Sequence, residues 1–468
     1  MTAPAASMLS DLHAYVDANA ERFVEEHCDF IRQPSQTGLL DNVRAGARYT
    51  AELAEHSGWQ AEVIEVGELA PIVLAEYAGP PGSKTLLLYS HYDVISPEPV
   101  SEWTYPPYSA TRSDGRIYGR GATDAKGNVM SFLKAAQSFA ATRGGPPLTL
   151  KLIIEGEEER GSGNLHEFMD RYESRLAADA ALSFDGGIDA SGVPKIGLGT
   201  SGMLYVELVA TGARKELHSA QARLYVNPAW RLTWALASIK APDERVLIDG
   251  FYDGIEPPSD EDRRLMAAMP WNDQRQLDEA GLESFLGGVR GLAAIERVLF
   301  QPGLAICGLT SGFQGEGPKA VIPRIATAKL EFRIVPNQTP ERTLELLRAH
   351  LQKHGFGDIQ INVISVVETA KTDPDADIVR ATIGAARELY GEPMLKPTEE
   401  YAGLQGAWLG RRLGIPGVQT GIGPPGFRGH ATDEFVTEEH LIKGIKYAAG
   451  IFHHFASYAD GEPRADAR

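Results

Sequence analysis

In the N-terminal part of the chain, hydrophobic positions follow two repeats, one typical of helices and one of short buried strands. Apolar side chains recur at helical spacing over residues 8–32, and residues 42–57 and 126–141 are also predicted to be helical. Apolar runs bounded by polar or glycine-rich stretches predict buried strands at 61–66, 72–77, 85–90, 148–154 and 180–184. Because helices alternate with buried strands, we expect an α/β domain whose mostly parallel or mixed sheet is flanked by helices.

Strict alternation of apolar and polar residues replaces this pattern in the middle of the chain. Residues 203–209 and 326–334 each place every second side chain on one face, as in half-exposed antiparallel strands. Thr339 followed by Pro340 predicts the start of a helix that ends near Gly355. The pattern predicts an α+β, ferredoxin-like module inserted into the first domain. The α/β pattern resumes after about residue 373, with helices at 378–389 and 438–458 and a strand at 418–421.

Composition and charge narrow the class of protein. The chain has 468 residues, which predicts two domains with ample core. Its 45 Lys and Arg against 63 Asp and Glu give a net charge of −18, which argues against nucleic acid or an anionic membrane as a partner. No apolar run approaches the ~20 residues of a membrane span, and no signal peptide is evident. We therefore expect a cytoplasmic protein. The two cysteines, Cys28 and Cys307, lie far apart in the sequence and exclude a disulfide framework.

Side chains that bind metals follow the ends of the predicted strands. His91 ends the central strand, Asp185 follows another, and the acidic run 155–159 follows a third. Asp124 precedes a predicted helix, and His430 lies in a glycine-rich loop after a late strand. Ligands in such sheets bind outside the carboxyl ends of the strands. Oxygen and nitrogen donors without cysteine suit zinc, manganese or cobalt.

Each of these residues alone is a weak indication. A single His at a strand end is commonly structural, an acidic run is usually a solvated loop, and an Asp before two glycines is usually a turn. The joint arrangement is different, because chance rarely ends successive core strands with His, Glu and Asp and adds a loop that carries a second His. The sequence therefore predicts a metal site at this edge of the sheet.

Four motifs lie in order along nearly the whole chain: HYDV at 91–94, GRGATDAKG at 119–127, EGEEERGS at 155–162 and GH at 429–430. As a set they resemble the M20 family of di-zinc metallopeptidases, and residues 215–219, 321–324 and 332–337 are most similar to its dipeptidase branch. The resemblance implies a catalytic metal-binding domain formed by residues 1–199 and 373–468. Residues 200–372 would form an inserted lid and dimerisation domain, and a homodimer through that domain is implied.

The resemblance also implies a ligand set for two divalent metal ions, zinc with manganese or cobalt as alternatives. Asp124 would bridge the two ions, His91 and Asp185 would complete one site, and Glu159 and His430 would complete the other. The family often has a cis peptide bond after the bridging Asp, so we expect the bond after Asp124 to be cis.

Residues next to these ligands would orient an imidazole and transfer a proton. The resemblance implies that Asp93 bonds the far nitrogen of His91 and fixes its tautomer. It assigns Glu158 as the general base for a metal-bridging water. The roles of Glu158 and Glu159 could be exchanged because the two acids are adjacent, and Glu157 widens the choice.

Substrate contacts are assigned to the inserted domain and to a late loop. By resemblance, His218 would polarise the amide carbonyl, and Arg333 would hold the free carboxylate of the substrate in a bidentate grip. A loop-capping His218 and a solvated Arg333 are the alternatives. Residues 399–406 lack the Gly-Gly-Ser-Ile-Pro loop of many dipeptidases, although Gly403 would still allow a close backbone approach.

The function predicted from the sequence is hydrolysis of an amide bond in a dipeptide or small peptide with a free carboxylate. The close alternative is an N-acyl amino acid deacylase of the same fold. A di-metal phosphoesterase would usually carry more His in HxH or DxH clusters than this chain has, and a non-catalytic relative should have lost a ligand or the base. Asp433 and Glu434, near His430, are either residues that support the ligands or loop acids, and the interpretation as loop acids is favoured.

Overall fold

The apolar runs of the N-terminal part form the middle of an eight-stranded mixed sheet in the computed structural model, which describes residues 5–400 and 405–458. Strands and helices are numbered along the chain. In spatial order the sheet consists of β1 (Gln60–Ile64), β2 (Ile72–Tyr77), β6 (Thr149–Glu155), β3 (Thr85–His91), β7 (Ala180–Phe184), β18 (Gly417–Thr420), β8 (Lys195–Gly197) and β17 (Met394–Lys396).

Four parallel strands at the centre of this sheet determine where the candidate metal-binding residues meet. β3 runs parallel to β6 on one side and to β7 on the other, and β7 runs parallel to β18. All four strands therefore have their carboxyl ends at one edge of the sheet. The side chains of β3 from Leu86 to His91 are buried on both faces, as expected for a strand covered by helices on both sides.

Helices cover both faces of the sheet. They are α1 (Ala5–Ala18), α2 (Ala20–Arg32), α3 (Leu40–His56), α4 (Lys126–Arg143), α5 (Leu165–Tyr172), α11 (Asp377–Leu389), α12 (Gln405–Leu413) and α13 (Glu438–Ser457). Leu87 and Tyr89 pack in one cluster with apolar residues of α5 and α12. On the other face, the rings of Phe132 in α4 and Phe184 in β7 lie 4.5 Å apart.

The single helix predicted over residues 8–32 is wrong, because the chain breaks at Asn19 into two helices. Asn19 has φ −109° and ψ 9°, outside the helical region. Its side-chain amide donates to the carbonyl of Tyr15 at 2.8 Å, so it competes with the helical hydrogen-bond ladder.

A small sheet beside the large one carries two loops of the site. It pairs β4 (Thr111–Ser113) with β5 (Arg116–Tyr118), and β5 with β19 (Phe435–Thr437). In the antiparallel ladder of β5 and β19, Tyr118 lies opposite Phe435. The segment that follows β5 and the segment that precedes β19 therefore leave the ladder at the same end.

The middle of the chain folds as a four-stranded antiparallel sheet with helices on one face. Its spatial order is β12 (Gly303–Ser311), β14 (Ile325–Ile334), β10 (Gly202–Thr211) and β15 (Gln360–Val367). The apolar faces of β10 and β14 pack with α6 (Pro228–Ile239) and α10 (Pro340–Lys353) in one core that includes Leu204, Leu330 and Phe332. Thr339 caps α10 by accepting a hydrogen bond from the N–H of Arg342, as predicted.

The sequence does not reveal the role of residues 242–298, which are largely helical in the structure. The helices of this region are α7 (Asp260–Ala268), α8 (Asp273–Ala280) and α9 (Leu292–Phe300), with a small apolar cluster of their own. Four two-residue strands complete the elements: β9 (Gly199–Thr200), β11 (Leu217–His218), β13 (Val321–Ile322) and β16 (Ala370–Lys371).

The chain is organised in two folding units. The first contains residues up to Gly199, Lys371–Pro397 and the C-terminal part from Leu404, and the second contains Thr200–Ala370 and Thr398–Gly403. The predicted fold class, an α/β domain with a mixed sheet and an inserted α+β module, is confirmed. Within residues 5–400 and 405–458, no helix has both the length and the apolar character needed to cross a membrane.

Candidate metal centre

Two ligand-type side chains are placed by neighbouring parallel strands. His91 is the last residue of β3 and is buried, and Asp185 directly follows β7. Because Tyr89 pairs with Ser183, the register sets Asp185 level with His91. The N–H of Asp185 donates to the carbonyl of Thr420 at 2.9 Å, which ties it to β18. His91 Nε2 lies 3.5 Å from Asp185 Oδ1.

Asp124 lies between two imidazoles. It follows β5 and precedes α4, and its peptide bond to Ala125 is cis, as the resemblance implies. Its Oδ1 lies 3.1 Å from His91 Nε2, whereas its Oδ2 lies 3.4 Å from His430 Nε2. The two oxygens of one carboxylate therefore face different histidines.

His430 and Glu159 form the other side of the cluster. His430 lies in the loop before β19 with φ +62°, a left-handed conformation that non-glycine residues adopt at a cost of about 1–3 kcal/mol. Its Nε2 lies 2.9 Å from Glu159 Oε2. Glu159 belongs to a short 3-10 turn, Glu158–Arg160, that follows β6.

These side chains form two groups with Asp124 in common. The donor atoms of His91, Asp124 and Asp185 lie within 4.8 Å of one another, and so do those of Asp124, Glu159 and His430. Two donors on one tetrahedral zinc ion are about 3.4 Å apart, given metal–ligand bonds of about 2.1 Å. The observed separations of 2.9–3.5 Å therefore suit a cation in each group.

An unpartnered buried nitrogen supports this fit. His91 Nε2 has no hydrogen-bond partner although two carboxylate oxygens lie beside it. Its other ring nitrogen, Nδ1, contacts the backbone carbonyl of Asp93 at 3.0 Å. With Nδ1 engaged there, Nε2 is the nitrogen available to a metal ion.

The pKa values of the two histidines reflect the surrounding carboxylates. Burial lowers the pKa of His91, but Asp124 and Asp185 outweigh this effect and hold it well above its ordinary value. Asp124 and Glu159 raise the pKa of His430 to about 10.

The carboxyl groups of the site differ from one another. Burial, with neighbouring carboxylates, raises the pKa of Asp185 to about 6 and that of Glu158 well above its usual range. Burial also acts on Asp124, but His430 and His91 outweigh it and hold the pKa of Asp124 below its ordinary value. Asp185 and Glu158 thus lack a cationic neighbour strong enough to offset their burial. A divalent cation would supply the missing compensation.

The three adjacent acids of the motif point to different partners. Glu157 Oε1 accepts the N–H of Ala70 at 3.1 Å, so it is engaged away from the histidines. Glu159 reaches His430, whereas Glu158 Oε2 lies 4.0 Å from His91 Nε2. Glu158 thus lies beside the histidines, but its carboxylate is farther from the nearest imidazole than that of Glu159.

Asp93 connects an imidazole to the acidic turn. Its Oδ1 lies 3.4 Å from His91 Nδ1, and its carboxylate accepts the N–H groups of Glu158 and Glu159 at 3.3 and 3.1 Å. Asp93 is fully buried. It therefore fixes the positions of both the imidazole and the turn.

The interpretation of Glu434 as a loop acid is wrong. Its side chain is fully buried and forms a 2.7 Å ion pair with Arg120, whose side chain is 3% exposed. The sequence did not identify this pair, although Glu434 follows His430 closely and Arg120 lies in the glycine-rich motif. Asp433, in contrast, is a loop acid that accepts hydrogen bonds from the N–H and hydroxyl of Thr104.

The predicted substrate-binding residues belong to the second unit. His218 is exposed, and its Nδ1 accepts the N–H of Ala220, so it caps a short turn. Arg333 forms an ion pair with Glu331 on the partly exposed face of β14. Gly403 lies outside the described residues.

Residues 87–454 match peptidase family M20/M25/M40, a span well over half of the chain. The chain belongs to this family. Among curated M20 relatives, a Beta-Ala-His dipeptidase of Rattus norvegicus is 26% identical over 387 residues, which cover 78% of this chain and 78% of that protein. A Cys-Gly metallodipeptidase of Schizosaccharomyces pombe is 28% identical over 365 residues, covering 74% and 76% of the two chains.

Solved structures of M20 peptidases have the same fold. An M20 family metallo-carboxypeptidase from Sulfolobus solfataricus is similar with a TM-score of 0.84 and 32% identity, covering 93% of this chain and 99% of the other. Human carnosine dipeptidase 1 has a TM-score of 0.74 at 23% identity, covering 96% and 100%. This M20 peptidase is therefore a hydrolase that acts on peptide bonds, and the family is metal-dependent.

Proposed function

We propose that this M20 peptidase is a dinuclear metallohydrolase that cleaves the amide bond of a dipeptide or small peptide with a free carboxylate. The observation that carries the proposal is the position of Asp124, whose two oxygens face His91 and His430 at 3.1 and 3.4 Å. One carboxylate placed in this way can be shared by two cations. His91 and Asp185 would hold the first ion, and Glu159 and His430 the second.

Two zinc ions fit the donor set best, with manganese and cobalt as alternatives, because the groups offer imidazole and carboxylate without thiolate. When bound, the ions supply Lewis acidity and a water molecule of lowered pKa. Glu158, whose carboxylate lies beside the cluster, would take the proton of that water and deliver it to the leaving amine.

We propose that His218 and Arg333 recognise the substrate, as the family resemblance implies. His218 would donate a hydrogen bond to the amide carbonyl, and Arg333 would bind the substrate carboxylate. Both side chains carry the required donors, and both are accessible to solvent in the second unit. Residues 200–372 would thus act as a lid and dimerisation domain.

A homodimer through the second unit is part of the same proposal. Trp230 and Trp234 of α6 are 58% and 56% exposed, and their rings stack 5.8 Å apart. Large exposed aromatic side chains of this kind are typical of protein interfaces. Analytical ultracentrifugation of Trp230→Ser/Trp234→Ser should show a monomer if α6 forms the interface.

An N-acyl amino acid deacylase is the second candidate. The sequence of residues 399–406 departs from the usual dipeptidase loop and carries two acids, Glu399 and Glu400, so specificity for dipeptides does not follow from the family alone. The discriminating assay is turnover of a panel of dipeptides and N-acyl amino acids, each with added zinc, manganese or cobalt.

The assignments of base and ligand are tested together by Glu158→Gln, Glu159→Gln and Glu157→Gln. Glu158→Gln should keep two metal equivalents and lose about 10²- to 10⁴-fold in kcat. Glu159→Gln should lose one equivalent. Glu157→Gln is the matched control, because the Glu157 side chain accepts a hydrogen bond from the N–H of Ala70 and not from a residue of the proposed metal site. Full activity of Glu158→Gln, or fewer than two equivalents in the wild-type protein, would contradict the proposed mechanism.

A further inference from the structure

We propose that the buried ion pair between Arg120 and Glu434 is a positioning pair that fixes the separation of Asp124 and His430. The inference rests on the proposed function, since it concerns the geometry of the two ligand groups. Neither residue touches the cluster through its charged atoms. Each lies four positions from a ligand, Arg120 before Asp124 and Glu434 after His430.

Glu434 binds the backbone of the loop that carries Asp124. Its Oε2 accepts the N–H of Gly121 at 3.0 Å, and its Oε1 accepts the N–H groups of Thr123 and Asp124 at 3.0 and 3.1 Å. A carboxylate of the segment that carries His430 thus holds three amides of the segment that carries Asp124.

Arg120 makes the reciprocal connection. Its Nη1 donates to Glu434 Oε2 at 2.7 Å, and its Nη2 donates to the carbonyl of Ala431, next to His430, at 2.9 Å. The guanidinium also packs over the ring of Trp103, 5.2 Å from its centroid. The forked donor of Arg120 therefore fixes both ends of the segment between Ala431 and Glu434.

The ladder of β5 and β19 fixes one end of both segments, so contacts beyond it set the separation of Asp124 and His430. Tyr118 pairs with Phe435, so both ligand segments begin from one fixed point. Beyond that point the N–H of Gly119 donates to the carbonyl of Glu434 at 2.9 Å, and the hydroxyl of Thr123 donates to the carbonyl of Phe435 at 2.8 Å. Neither bond reaches the backbone beside His430. Since loops without anchors vary in conformation, the side-chain bonds of Arg120 and Glu434 extend the connection to Ala431 and Asp124, next to and at the two ligands.

A stabilising role alone explains the pair poorly. Taking two charges out of water costs several kcal/mol, so a buried ion pair is often no more stabilising than apolar residues of equal volume. What an apolar pair could not supply is five directed hydrogen bonds between two ligand loops. The group that contains His91 and Asp185 does not depend on such loop contacts, because the ends of β3 and β7 place these two residues.

This difference gives a selective prediction. The pair positions two ligands of the group Asp124–Glu159–His430 but one ligand of the group His91–Asp124–Asp185. Loss of the pair should therefore weaken metal binding at the group that contains Glu159 and His430 more than at the group that contains His91 and Asp185. A change in supporting hydrogen bonds typically lowers metal affinity by about 10- to 100-fold.

The experiment is a metal titration of the full chain with Co²⁺ in a chelator buffer, followed by calorimetry and visible absorption, for the wild type, Glu434→Gln and Arg120→Lys. Gln places an amide donor where Oε2 accepts bonds from Arg120 and Gly121, and Lys cannot reproduce the fork of Arg120. In both variants we expect one of two binding steps to weaken at least 10-fold, with a changed absorption spectrum, and the other to shift less.

Glu26→Gln is the control variant. Glu26 pairs with Lys134, whose side chain is 1% exposed, in the same unit and away from both ligand groups. This variant should bind Co²⁺ like the wild type.

Other outcomes separate the two proposals. Wild-type protein that binds fewer than two ions would contradict the proposed function. Two wild-type steps that both variants leave unchanged, or weaken equally, would overturn the positioning role of the pair. Failure of both variants to fold, with Glu26→Gln folded, would assign the pair to stability and would also overturn it.

Discussion

Replacing Asp93 by Asn removes one charge and keeps the shape of a fully buried side chain. The carboxylate has three neighbours: the imidazole Nδ1 of His91 at 3.4 Å and the N–H groups of Glu158 and Glu159 at 3.3 and 3.1 Å. An amide has one acceptor oxygen and one donor nitrogen. In Asp93→Asn at least one of the two backbone N–H groups therefore faces a donor or loses its partner.

The contacts set the size of the expected effect. A hydrogen bond to a charged group contributes about 1.5–3 kcal/mol, so the loss of one such bond corresponds to a factor of about 10 to 150. The lost bond would otherwise hold the turn that carries Glu159, a proposed ligand, and the change also removes the charge beside His91. We therefore expect Asp93→Asn to weaken metal binding by about 10- to 100-fold, with kcat reduced at subsaturating metal.

The assay is metal affinity by competition with a chromogenic chelator, together with kcat measured as a function of free metal. Asp262→Asn is the control, because Asp262 is also a buried aspartate that accepts hydrogen bonds, from the N–H and hydroxyl of Ser259, but lies in the second unit. Metal affinity of folded Asp93→Asn within threefold of the wild type would refute the reasoning. Equal weakening in Asp262→Asn would refute it as well.

Three further results are expected. His27 is buried with Nε2 against the carbonyl of Ala122, and burial lowers its pKa to about 4 from 6.5, so the unfolded chain binds the extra proton first. The contribution of His27 to the free energy of unfolding is therefore complete above about pH 6.5 and falls by about 3 kcal/mol as the pH drops to about 4. Urea unfolding of the wild type and of His27→Gln across this pH range should show the loss in the wild type alone. Phe332→Ala opens a cavity in the core of the second unit and should lower its free energy of unfolding by about 3–5 kcal/mol in circular dichroism titrations, with metal content unchanged. Removal of metal by a chelator should lower the melting temperature, since ions at 100 times their Kd stabilise the fold by about 2.7 kcal/mol.

Each of these expectations has its own contrary result. Parallel pH profiles for wild type and His27→Gln would show that the pKa of this imidazole is the same in the folded and unfolded states. Phe332→Leu should lose less stability than Phe332→Ala, and loss of metal from either would tie the second core to the metal centre. Equal melting temperatures with and without chelator would argue against metal binding to the folded protein, and His91→Ala, which removes a proposed ligand of one ion, should reduce the difference.

Strands and strand ends could be predicted because hydrophobic runs and their polar boundaries are local in sequence. The runs at β3 and β7 identify buried parallel strands, and their ends identify His91 and Asp185 directly. The resemblance of the motifs supplied the pairing of Asp124 with both histidines. No local pattern could do so, because that pairing depends on the ladder between Tyr118 and Phe435.

The parts that were missed depend on contacts between distant residues. Glu434 has the sequence neighbourhood of a solvated loop, and only the four contacts of its carboxylate with Arg120, Gly121, Thr123 and Asp124 show that it is buried. Asn19 interrupts an apolar repeat that continues on both sides, so periodicity alone gives one helix where there are two. The order of Glu157, Glu158 and Glu159 also follows from their partners in space, since the three side chains are identical.

The position of β18 beside β7 has a consequence for the nascent chain. Translation produces β7 before residues 200–370 and β18 only after them, so until then the edge of β7 that pairs with β18 lacks its hydrogen-bonding neighbour. Such an apolar edge favours aggregation until it is covered. The nascent chain therefore carries this uncovered edge throughout the synthesis of the inserted unit.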